Sequence, residues 1–187
     1  MKSAQLFVQK GYGAVTVNEV CAAAKVSKGS LYHHFDSKDE LFLYIVEADT
    51  VQWLQEWEVK QQGIADIEQR FYALAEHYAN DFQNPLIRAL EEFSRSKEHA
   101  DEITERLSQL YDMSLQAFRS LLSEGIAAGY LLDGSLEDYV IIVCGLMEGV
   151  GKVSELSLLT KQPMDIQRYH REAIRLLLLG LRAGPEK

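Results

Sequence analysis

Apolar residues recur three and four positions apart along nearly the whole chain, and no useful stretch alternates with the two-residue period of a strand. Ala4, Phe7, Val8 and Gly11 fall on one face of a short first helix, which the glycines of GYG at 11–13 end. Val17, Val20, Cys21 and Ala24 form the apolar face of a second. Thr16 precedes that helix, and Glu19 three residues later completes a capping-box spacing. Ser27 is the next N-cap candidate and opens a third helix of about seven residues, with Leu31 and Phe35 as its buried face. Ser37 and Glu40 repeat the capping-box spacing and start a long fourth helix over 38–58. Its expected inner face is Leu41, Tyr44, Ile45 and Ala48, continued by Trp53 and Trp57. Further helices are predicted over 64–83, 86–96, 100–128, 135–160 and 165–183. The fold class is all-α. A small three-helix unit, residues 1–46, is joined by the long fourth helix to a larger helical part, residues 47–187.

Three short helices with a tight turn between the last two are the helix-turn-helix arrangement, whose second helix enters the DNA major groove. Residues 27–33 suit that task. Ser27, Lys28 and Ser30 place donors at the leading end. Tyr32, His33 and Lys38 carry donors able to reach phosphates, which fix register. Gly29 is the odd residue, since glycine in a helix costs about 1 kcal/mol relative to alanine. Two readings stand side by side: the missing Cβ lets the backbone approach the groove floor, or the glycine only loosens an exposed first turn.

Charge changes the picture more by its distribution than by its sum. The net charge of −9 argues by itself against a nucleic-acid partner. Residues 1–46, however, hold five lysines and four acids, whereas the remainder holds 14 basic and 24 acidic residues. The acidic excess therefore lies wholly in the C-terminal part, and Lys25, Lys28 and Lys38 cluster around the third helix. The two cysteines, Cys21 and Cys144, are far apart and outside any CxxC pair, so they read as small buried hydrophobes. No nucleophile motif, metal-ligand spacing or glycine-rich phosphate loop occurs. His33 and His34 point to different helix faces, which is poor for chelation. No catalytic residue, metal or cofactor is expected, and the chain does not read as an enzyme. There is no apolar run of about 20 residues and no signal-peptide pattern, so a cytoplasmic location is the default expectation and no membrane partner is expected.

The segment TVNEVCAAAKVSKGSLYHHFDSKDELF resembles the DNA-binding signature of the TetR family of bacterial transcriptional regulators. The matching features are Thr16 at the head of a helix, Val26-Ser27 at the end of a small-residue turn, Gly29 to Phe35 as the recognition helix, and Lys38 to Leu41 opening helix four. EGIAAGYL at 124–131 matches more loosely. The resemblance implies a homodimer that binds double-stranded operator DNA through two N-terminal domains. It implies a C-terminal domain that binds a small-molecule effector and dimerises through its last two helices. The expected function is a repressor released from its operator by that ligand. The positions implied to contact DNA are Thr16, Ser27, Lys28, Gly29, Ser30, Tyr32, His33 and Lys38. Family members carry more residues before the first helix, often basic ones, whereas here Met1 falls near the middle of where that helix would lie. If Lys25, Lys28 and Lys38 each neutralise a phosphate, a dimer makes about six such contacts and a log–log salt slope of about −5 is expected.

In the C-terminal part, YVIIVCGLMEGVG at 139–151 and the leucine-rich stretch at 174–181 are apolar on more than one face. Uncovered, they would leave a patch large enough to need a partner, which points to a two-fold interface formed by the helices near 135–160 and 165–183. Burial within the monomer's own core is the alternative. Phe71, Tyr78, Phe82, Phe93, Tyr111, Phe118, Tyr139 and Met147 are candidates to line an apolar effector pocket, although aromatics at helical spacing serve equally as plain core. His77, Glu92, His99 and Glu148 are the polar groups considered for such a pocket.

Overall fold

The computed structural model describes residues 2–82, 84–96, 101–159 and 164–182. Among these there are nine helices: α1 Lys2–Ala14, α2 Val17–Ala24, α3 Lys28–His34, α4 Lys38–Gln61, α5 Ile67–Asp81, α6 Pro85–Ser96, α7 Asp101–Ala127, α8 Leu136–Leu159 and α9 Ile166–Leu181. The all-α expectation holds, and the helix borders lie within a few residues of those predicted. By packing, the chain divides into two compact units. One takes Met1–Trp53 and Gln83–Met113, the other Leu54–Phe82 and Ser114–Lys187.

In the first unit, α1 to α3 and the first turns of α4 close around Phe7, Val20, Leu31 and Phe42. α6 and the leading half of α7 complete that core through Leu86, Ala89, Phe93 and Leu110. Phe42 is the hub, its ring meeting Phe7 at 4.9 Å, Tyr12 at 5.0 Å and Phe93 at 5.3 Å. This explains a departure from the predicted face of α4. Leu41, Phe42, Leu43, Ile45 and Val46 are all buried, whereas Tyr44 is 47% exposed and Ala48 is exposed. Neighbours on several sides cover the start of α4, so its burial is not a single stripe.

α1 is also not ended by its glycines as expected. Gly11 takes φ 75° and ψ 168°, a break after which one more helical turn runs to Ala14. That region of backbone space is nearly restricted to glycine. A Cβ at Gly11 would also lie 2.7 Å from Oε2 of Glu92, whose other oxygen, Oε1, accepts the Gly13 N–H at 3.3 Å. Glu92, considered above as a pocket group, thus closes the break in α1.

The second unit packs α5, the end of α4, the later half of α7, α8 and α9 around Trp57, Phe71, Leu74, Phe118, Met147 and Ile174. Arg70 forms a bidentate pair with Glu124, and Arg182 donates to Glu68 and to the Tyr130 hydroxyl, fastening the end of α9. No helix among the described residues is long and apolar enough to cross a membrane.

Candidate functional site

The helix-turn-helix is built by local capping. The Thr16 hydroxyl accepts the Glu19 N–H at 3.3 Å, and the Glu19 carboxylate accepts the Thr16 N–H at 2.8 Å, the complete capping box. Lys10 pairs with the same carboxylate at 2.5 Å, and these bonds hold the Glu19 carboxyl down to about 2. α2 ends in a Schellman turn. Lys25 N–H donates to the Ala22 carbonyl at 3.3 Å, and Val26 N–H to the Cys21 carbonyl at 3.0 Å. The turn places Lys25 itself in the left-handed conformation at φ 59°, unusual for a residue with a Cβ.

Ser27 then caps α3, its hydroxyl accepting the Ser30 N–H at 3.1 Å. Leu31 anchors the helix to the core, and Lys28, Gly29, Ser30, Tyr32, His33 and His34 are exposed. A Cβ added at Gly29 would meet nothing nearer than the Ser27 hydroxyl at 3.9 Å, an ordinary contact. The chain's own packing therefore does not require glycine there. The cap of α4 is a variant of the expected box: Ser37 accepts the Glu40 N–H at 3.1 Å, while the Glu40 carboxylate accepts from Asp36 at 2.7 Å.

Ser27, Lys28, Gly29, Ser30, Tyr32 and His33 thus lie exposed at the cap and along α3, and Thr16 is exposed at the head of α2. Lys38 stands apart. Its ammonium donates to the carbonyl oxygens of Tyr12 at 3.0 Å and Val15 at 2.9 Å, and lies 4.1 Å from the centre of the Tyr12 ring. The Tyr12 hydroxyl donates to Asp39, and burial together with that carboxylate raises the phenol well above its ordinary range. Nothing in the sequence spacing indicated these two attachments.

In the C-terminal unit the proposed pocket residues separate. Tyr78, Phe82 and Phe118 come together, with the Tyr78 ring 6.3 Å from Phe82 and 6.0 Å from Phe118. Tyr78 donates its hydroxyl to Glu148, and burial raises its phenol strongly. The Phe82 ring lies where a Cβ on Gly151 would be, at 2.1 Å, so Gly151 is there to admit it. Met147 and Phe71 are fully buried core, and Tyr139 donates to the Leu132 carbonyl at 3.3 Å in the turn before α8. Two candidates lie apart from this cluster. Phe93 belongs to the core of the first unit against Tyr12 and Phe42, and Tyr111 is 57% exposed. His77 packs beside the Trp57 ring at 6.0 Å, and His99 lies outside the described residues.

The residue that sequence reasoning missed is His170. It is fully buried, 5.8 Å from Tyr78 and 6.2 Å from Phe82 between ring centres. Nδ1 faces the Ile166 carbonyl at 2.7 Å and Nε2 the Met147 carbonyl at 3.0 Å. A neutral ring can donate to only one of them. Burial nevertheless dominates and holds the imidazole below its ordinary titration range. The available signal was its position in the turn before Ala173-Ile174 on the inner face of α9.

Across α8 and α9 runs an open apolar groove of about 480 Å³, with Gly145, Gly149 and Val153 on one wall and Tyr169, Ala173 and Leu176 on the other. Ile141, Ile142, Leu156 and Leu179 extend the exposed apolar surface, Leu179 being 61% exposed. Nothing lies within 4 Å of a Cβ placed on Gly145 or Gly149. No group of three or more His, Cys, Asp or Glu among the described residues could hold a metal ion.

Comparison with known proteins meets this geometry at both ends of the chain. Residues 2–45 match the family described as bacterial regulatory proteins, tetR family, and residues 49–183 match the QacR-like protein, C-terminal region. The chain belongs to the TetR family of transcriptional regulators. Its relatives include the regulator QacR of Staphylococcus aureus, 30% identical over 122 residues, or 65% of either chain. The repressor NemR of Escherichia coli is 27% identical over 143 residues, covering 75% of this chain and 68% of NemR. The chain thus aligns with just under two thirds of QacR. Among solved structures, Bacillus subtilis FadR in complex with stearoyl-CoA shares the fold, with a TM-score of 0.75 at 15% identity over 96% of this chain and 95% of FadR. Reduced E. coli NemR does so at 0.73 and 20% identity, over 100% and 96%. For this TetR-family regulator the fold and family expected from the sequence are therefore established.

Proposed function

We propose that the chain is a homodimeric repressor that reads an operator with α3 and leaves it when a small molecule binds the C-terminal part. The observation that carries the reading is the exposed leading face of α3, capped by Ser27 and anchored by Leu31, where Gly29 serves no packing need of the chain itself. Lys28, Ser30 and Tyr32 face the bases and backbone, Thr16 and His33 reach phosphates, and Lys38 acts by holding the end of α1. Residues 1–46 carry the reading function, and residues 47–187 carry effector binding and dimerisation, in the cytoplasm where the operator lies.

The second copy seats on the groove of α8 and α9, the exposed Gly145 and Gly149 allowing close approach of a partner helix. The Tyr78–Phe82–Phe118 cluster, with Glu148 and His170, is the region of effector binding. Relatives with ligands or names of repressors support this reading by kinship. A near-complete release requires the effector to favour the non-reading form by about 5.5 kcal/mol. The test is selection of duplexes from a random library by the full chain. Lys28→Ala and Tyr32→Ala are then expected to abolish binding while sedimentation still shows a dimer. Loss of dimer together with DNA binding, or no loss of binding, would refute the assignment. A ligand carrier without DNA activity is the alternative that the same selection excludes.

A further inference from the structure

The reading face is short of positive charge. Of the five lysines in residues 1–46, Lys2 stands at the start of α1, away from α3 in sequence, Lys10 is paired with Glu19 and Lys38 is bound to two carbonyls. Lys25 and Lys28 are exposed, and no ion pair holds either of them among the described residues. A dimer then brings about four ammonium groups to the phosphates, a salt slope of about −4. α3 has no arginine, but its last two residues are His33 and His34, both exposed, their rings edge to face at 5.3 Å between centres. Imidazole is the side chain whose charge ordinarily changes between pH 5 and 8. A neighbouring phosphate favours the charged form of an imidazole.

We propose that DNA binding by this chain is coupled to proton uptake at His33 and His34, so that acidification tightens its grip. The charged groups around the pair are Lys28 on α3 and Lys25 at the end of α2. Asp36, Lys38, Asp39 and Glu40 stand in the connection to α4 and in its first turn. Asp39 accepts from the Tyr12 hydroxyl and Glu40 from the Asp36 N–H, while the exposed Asp36 carboxylate, two residues beyond His34, offsets part of the pair's charge. With both rings turned to phosphate, two histidines in each protomer would raise the count of phosphate-facing charges from four to eight.

The inference rests on the operator reading above, and one experiment separates the two. A duplex selected from a random library by the full chain at pH 6.0 is titrated by fluorescence anisotropy from pH 5.5 to 8.0 at several salt concentrations. The expected result is binding about tenfold tighter at pH 6.0 than at pH 7.5, with the salt slope steepening from about −4 to about −7. His33→Gln and His34→Gln together should flatten the pH profile, and the single variants apportion it. A selected duplex bound equally at all pH values overturns this inference alone. No selection at any pH overturns the operator reading and this inference with it.

Discussion

Lys38 lies over the ring of Tyr12 and donates to the carbonyl of the same residue, so the first residue of α4 closes the last turn of α1. The contact makes Lys38 a structural residue of the reading unit. Lys38→Met leaves two part-buried carbonyls without a charged donor and is expected to cost about 2 kcal/mol. Chemical denaturation checks this. Unchanged stability with a salt slope shallower by about 2 would instead mark Lys38 as a phosphate ligand.

Gly29 makes a sharper case because stability and function should move in opposite directions. A methyl group there meets only Ser27 at ordinary contact distance. Gly29→Ala is expected to stabilise the free protein by up to about 1 kcal/mol and to weaken DNA binding. Parallel melting and anisotropy measurements decide it. A variant that is more stable and binds DNA undiminished would show that the glycine merely loosens the helix.

His170 makes the C-terminal unit sensitive to acid. Burial holds the folded ring neutral, whereas the unfolded ring takes a proton below about pH 6.5. The contribution is present above that value and lost as the pH falls through and below it. The urea midpoint should therefore decline between pH 7.5 and 5.5, and the decline should shrink in His170→Asn. A midpoint constant over that range, or ring nitrogen shifts showing an imidazolium at pH 7.5, would contradict the neutral assignment.

Gly145 tests the dimer. It is exposed on α8, with nothing near its missing side chain. Gly145→Leu should leave a folded, helical protein and shift it toward monomer by analytical ultracentrifugation. A variant that stays dimeric would move the interface off this face of α8.

Much of this was legible in the chain because helix periodicity and caps are local. Thr16–Glu19, Ser27–Ser30 and Ser37–Glu40 are each three residues apart, and each is a cap in the structure. The apolar surplus of α8 and α9 was equally visible, since Leu176 and Leu179 could not share a face with Ile174 and Leu178. Long-range partners were not legible. Glu92 meets Gly13 across 79 positions, Lys38 reaches Tyr12 across 26, and His170 finds Met147 across 23. No spacing rule encodes such pairs. For the same reason Phe93 and Tyr78, both aromatics on middle helices, could not be told apart before packing assigned one to each unit.

The placement of α6 and the start of α7 with the N-terminal helices bears on how this protein can be taken apart. Phe7, Tyr12 and Phe42 share their core with Leu86, Ala89, Phe93 and Leu110. A reading head excised after residue 46 would carry a raw apolar wound where those side chains belong. A chimera that transplants this DNA specificity onto another effector domain must bring residues 83–113 along, or replace them with side chains of matching shape.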